Sequence, residues 1–84
     1  MNSKISNLLK ILKLILKWRM SENEKRKEDY IIEMKSLSFQ FFEKTFIEHF
    51  ENNLNFLNMF EAMIIKELKK INCLLEGFIA LSYS

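Results

Sequence analysis

SFQFFEKTFIEHFENNLNFLNMF, residues 38–60, is the stretch on which the fold turns. Phe39, Phe42, Phe46 and Phe50 recur at intervals of three and four, and Asn53, Leu57, Phe60 and Ile64 continue in phase. Taken as unbroken, the stripe makes one helix from about Ser38 to Glu76 that dimerises along its length, with Asn53 as a buried polar position. Taken with a turn at Asn52-Asn53, where four asparagines fall between positions 52 and 58, it makes the ends of two helices. Helices in globular proteins are mostly short, which favours the turn. The expected fold is therefore all-α, a small three-helix bundle, with the long-helix homodimer as its rival.

Outward from this stretch the chain keeps reading as helix. One glycine and no proline in 84 residues argue against strands joined by tight turns. A first helix is predicted from about Ser3 to Met20. On its wheel Ile5, Leu8, Leu9, Leu12, Ile15 and Leu16 form one face, Ile11, Leu14 and Trp18 widen it, and Ser6, Lys10, Lys13 and Lys17 make a narrow opposite stripe. An apolar arc this wide has to be covered by something. Ser21-Glu22-Asn23-Glu24 fits a capping box and predicts that a second helix starts at about residue 22. In that helix Tyr30, Met34, Leu37 and Phe41 share one side, while Phe39, Phe42, Phe46 and Phe50 share nearly the opposite one. Either it breaks at Ser36-Leu37-Ser38, or it continues to about Glu51 between two covers; the unbroken form is expected. The third helix is predicted over about 54–76, with Gly77 as its C′ residue and the apolar tail Phe78-Ile79-Ala80-Leu81 packing back. The whole chain, 1–84, reads as a single domain.

A domain of this size lies near the lower limit for folding without staples, which permits a monomer and leaves room for extra burial in an oligomer or against a partner. Cys73 is the lone cysteine, which excludes a disulfide framework and a cysteine-rich zinc site and implies a reducing, cytoplasmic setting. Lysines interrupt the apolar N-terminus, and no run approaches the length of a spanning helix. Net charge is +2, but residues 1–20 hold five basic and no acidic groups, leaving −3 on the remainder. Phe, Ile, Lys, Asn, Tyr and Met dominate, Ala and Arg occur twice each and Val never, a bias that points to a low-GC genome rather than to helix propensity.

Motifs for chemistry are missing. There is no glycine-rich phosphate loop, nucleophile elbow, zinc-protease helix or calcium loop, and Phe46 stands where a Glu-x-x-His pair with His49 would need its glutamate. His49 with Glu48 and Glu51 reads as a solvated helix end, and Cys73 beside Lys69 and Lys70 as a buried structural thiol. No catalytic, cofactor or metal site is expected, and the chain is not read as an enzyme. Lys10, Lys13 and Lys17 with Trp18 could meet an anionic surface, which makes a membrane-surface or membrane-active helix over 3–20 the alternative function. With Lys66, Lys69 and Lys70 those lysines also frame a nucleic-acid-binding regulator, disfavoured by scarce arginine and eleven acidic residues.

The aromatic excess is the main functional clue. Seven phenylalanines lie between residues 39 and 60 and point more than one way. Phe39, Phe42, Phe46 and Phe50, with Leu57 and Phe60, are the expected surface for a protein partner or a second copy. The leading function is a non-catalytic protein-binding module, a stoichiometric inhibitor or regulator of a larger protein or complex. Small size, missing catalytic groups and low-GC composition match inhibitors carried by phages and mobile elements, including those directed at host defence such as CRISPR effectors.

Overall fold

The computed structural model describes the backbone of residues 3–83 and side chains as far as Asn72. It is all-α, with no strand among the described residues, and holds four helices: α1 Ser3–Met20, α2 Glu24–Ser38, α3 Lys44–Glu48 and α4 Leu54–Tyr83.

Helix α1 has the predicted bounds and lies at the centre, packed against both α2 and α4. Its buried face is Leu8, Ile11, Leu14, Ile15 and Trp18. These residues meet Ile31 and Met34 of α2 and Leu57, Phe60 and Ile64 of α4 in one core. The first turn of α1 stands beside Glu67, through Lys4 at 3.9 Å, while Arg19 at its other end hydrogen-bonds Asn58 and Glu61. The two helices are thus antiparallel.

Helix α2 starts later than the capping box predicts. The Ser21 amide still donates to the Trp18 carbonyl (3.2 Å), so Ser21 closes α1 and comes too early to open α2. Asn23 is the cap instead, its Oδ1 accepting from the amides of Lys25 (2.9 Å) and Arg26 (3.2 Å).

The unbroken second helix is not found. It ends at Ser38, and the predicted 22–51 span is divided into α2, a turn and the short α3. The buried Ser38 hydroxyl donates to the Met34 carbonyl (2.6 Å), and the amides of Phe41 and Phe42 both converge on the Ser38 carbonyl at 3.0 Å. The physical reason lies in the shift of apolar face: a straight helix would leave either Met34 or the later phenylalanines without cover. With the break at Ser38, Met34 is buried and Phe42, Phe46 and Phe50 are half-buried against the core.

The chain does turn at Asn52-Asn53, which overturns the continuous 38–76 helix and its homodimer seam. Asn53 is the cap of α4 rather than a buried seam position, with its Oδ1 accepting from the Phe56 amide at 2.8 Å. Helix α4 also corrects the predicted end: it runs through Gly77, which has no positive φ, and on to Tyr83. The tail from Phe78 therefore continues the helix, and its side chains, with that of Cys73, lie outside the described residues. Thirty residues of helix make α4 about 45 Å long against about 27 Å for α1, which explains the elongated 53 × 27 × 21 Å shape.

Candidate interaction surface

Five of the six residues expected to form an aromatic surface are drawn into packing. Phe42, Phe46 and Phe50, on the turn and around α3, close over Phe56 and Phe60 of α4; the Phe50 ring lies 4.5 Å from Phe56 and 4.9 Å from Phe60, both edge-on. Phe60 and Leu57 are fully buried, which removes them from any surface of this chain, and Phe42, Phe46 and Phe50 are half-buried. The reason is the turn at Asn52-Asn53: it folds the front of the stripe back onto its continuation, so the stripe covers itself. Phe39 alone stays out, 56% exposed beside the exposed Ile32, over a shallow cleft that also touches Lys35 and Ser36.

Trp18 is likewise corrected. It is only 6% exposed, its Nε1 donates to Asn52 Oδ1 at 2.7 Å, and the Lys27 ammonium sits 4.4 Å from the ring centroid. It ties the end of α1 to the turn before α4 and does not reach an external surface.

Leu54, Met59 and Ile65 of α4 are also exposed, and three further uncovered apolar residues line up on the outward side of α1. Leu9 is 47% exposed, Leu16 55% and Met20 75%. Spaced by seven and four residues, they fall within about 40° of one another and form a ridge about 16 Å long. Leu9 and Leu16 are on the predicted apolar face, but the face that the protein buries is rotated towards Ile11, Leu14 and Trp18. The apolar arc of α1 is wider than α2 and α4 together cover.

The two edges of the ridge differ. Towards α4, half-buried Leu12 leads to Arg19, whose guanidinium grips both Glu61 carboxylate oxygens and Asn58 Oδ1 (2.6 Å). That hydrogen bond to Arg19, with its charge, holds the Glu61 carboxyl below its ordinary pKa of 4.5. Towards α2, exposed Lys10, Lys13 and Lys17 occupy the next about 80° of the helix. None of them is ion-paired among the described residues. A cleft of about 220 Å³ runs between them, Leu14 and Glu33, and a second of about 240 Å³ joins Lys17 and Met20 to Ser21, Arg26 and Tyr30.

The groups around His49 are engaged in local contacts. His49 Nδ1 donates to the Thr45 carbonyl (2.8 Å), Glu48 pairs with Lys44 (3.8 Å), and Glu51 accepts from Asn53 Nδ2 (2.6 Å). Among the described residues no group of acidic, histidine or cysteine side chains is placed to hold a metal, and no helix is long and apolar enough to cross a membrane. No known family matches the chain, and no curated protein or solved structure is similar to it.

Proposed function

We propose that the protein is a non-catalytic protein-binding module whose interaction surface is the outward face of α1. The observation that carries this reading is the line of Leu9, Leu16 and Met20, each about half exposed or more on a helix whose opposite side is core. Exposed single apolar residues are ordinary, but three in register along a rigid helix are the form in which helix-grooved partners are recognised. The ridge replaces the phenylalanine stripe as the binding element. Its action is stoichiometric occupation of a larger protein's surface, as an inhibitor or regulator of the kind carried by phages and mobile elements and directed at host defence, with CRISPR effectors among the fitting targets. The lone Cys73 fits work in a reducing compartment, and the low-GC composition fits a phage or mobile-element source.

The membrane-surface alternative loses Trp18, which is buried, as its headgroup contact. Pull-down from the native host separates the readings. Wild type should retain one larger protein at equal stoichiometry, and the variant L9S/L16S/M20S should lose it while keeping its helical circular dichroism. A partner retained by that variant would move the interface off α1.

A further inference from the structure

We propose that the occupant of the α1 face is an acidic amphipathic helix of the partner, lying along α1 with its apolar side on Leu9, Leu16 and Met20 and its carboxylates over Lys13, Lys17 and Lys10. This rests on the α1 reading above and specifies its chemistry.

The ridge and the lysine row form a single two-sided template. Leu9, Leu16 and Met20 recur with the seven- and four-residue spacing that packs into another helix, which favours a helical occupant over an extended one. The charge beside that seam is confined to one edge. On the α4 edge Arg19 is already neutralised by Glu61. On the α2 edge three lysines stand without an ion pair among the described residues, and Arg26 extends the cationic row past Met20 through their shared cleft. The one acid lining these two clefts is Glu33, set beside Lys10, Lys13 and Lys17. A partner with carboxylates along the α2 edge and apolar residues over the ridge satisfies both halves at once, and its register is fixed by the asymmetry.

Other occupants fit less of the template. A second α1 would bring cation to cation, since residues 3–20 contain no acidic side chain. A nucleic-acid backbone would leave the apolar ridge against phosphates. An anionic lipid surface would match the lysines, but the indole suited to that interface is buried and hydrogen-bonded to Asn52.

The test uses the full chain and three labelled peptides of one helical design, with leucines at core spacing and flanking positions that are all Glu, all Gln or all Lys. Fluorescence anisotropy at low salt should show the Glu peptide bound at least about tenfold more tightly than the Gln peptide, with the difference shrinking as salt rises. The variant K13E/K17E, altered only at exposed positions, should reverse the order in favour of the Lys peptide. L16S should weaken the Glu peptide by about tenfold. Equal binding of the Glu and Gln peptides overturns the acidic occupant and leaves the α1 interface standing. Binding of none of the three, with uptake onto vesicles containing phosphatidylserine, overturns both. A doubled hydrodynamic mass that L16S returns to monomer assigns the ridge to a second copy and also overturns the proposal.

Discussion

Phe60→Ala is the perturbation that examines the self-covering of the aromatic stripe. Phe60 is fully buried, and its ring centroid lies 5.7 Å from Phe42, 6.1 Å from Phe46, 4.9 Å from Phe50 and 6.3 Å from Phe56. Truncation removes the ring from the one place where the turn, α3 and α4 meet, so relaxation cannot fill the space without moving the backbone of α4. A loss of about 3 to 5 kcal/mol is expected, in a domain whose whole stability is about 4 to 13 kcal/mol at its size. In a chain this short that lowers the melting temperature by at least about 12 °C. Phe39→Ala, at a residue more than half exposed, should change stability by less than about 0.5 kcal/mol. Urea titrations followed by far-ultraviolet circular dichroism and by Trp18 fluorescence give both numbers, and Phe60→Leu should fall between them because most of the volume remains. Should Phe39→Ala cost as much as Phe60→Ala, or Phe60→Ala less than about 1 kcal/mol, the stripe would not be closed by its own turn. An external cover over the phenylalanines would then have to be restored.

Leu8 and Leu16 lie on the same predicted face but on opposite sides of the observed boundary, so Leu8→Ala should cost about 2 to 5 kcal/mol and Leu16→Ala under about 0.5 kcal/mol, read from thermal melts. Asn53→Ala removes the cap of α4 and should cost about 1 kcal/mol, with Asn53→Asp close to wild type in the same melts. Glu61 has a folded pKa below its ordinary value because Arg19 donates to it, so its contribution is present above about pH 4.5 and is lost as pH falls through the lower folded value. The pair is about one-third exposed, which limits that contribution to about 1 kcal/mol. Denaturant midpoints measured from neutral to acid pH should show Glu61→Gln flattening part of the acid loss; an unchanged profile would remove Arg19–Glu61 from the stability of the fold.

How much of this was legible in the sequence follows from the geometry of its turns. Helix α1 is bounded by Ser3 and Met20 as its periodicity predicts, and the Asn52-Asn53 turn is marked by asparagine chemistry. The break after Ser38 carries no such mark. Phe39 ends α2 with φ −58° and ψ −21°, and no described residue has positive φ, so the chain reverses there without asking for glycine. A turn built from Phe-Gln-Phe-Phe-Glu is passed over by rules that look for Gly and Pro, and only the change of apolar face between Met34 and Phe42 marks Ser36-Leu37-Ser38 as a place to break. The cap at Asn23 rather than Ser21 depends on where α1 ends, a tertiary fact that a four-residue motif does not contain.

The surface on α1 was hidden for a different reason. Periodicity measures how wide an apolar arc is, whereas burial depends on how many neighbours there are to cover it. Leu9, Leu12 and Leu16 score as core on the wheel as well as Leu8 and Ile15 do, yet α2 and α4 converge on the side of Ile11 and Trp18 and leave Leu9 and Leu16 in water. The surplus becomes visible only once the breaks at Ser38 and Asn52-Asn53 are in place. The chain spends residues 39–53 closing the phenylalanine cluster over Phe60 rather than extending α2. With the aromatics drawn inward, Leu9, Leu16 and Met20 of α1 stay exposed. On the proposal made above, the lysine row beside the exposed ridge sets the charge that a partner brings to it.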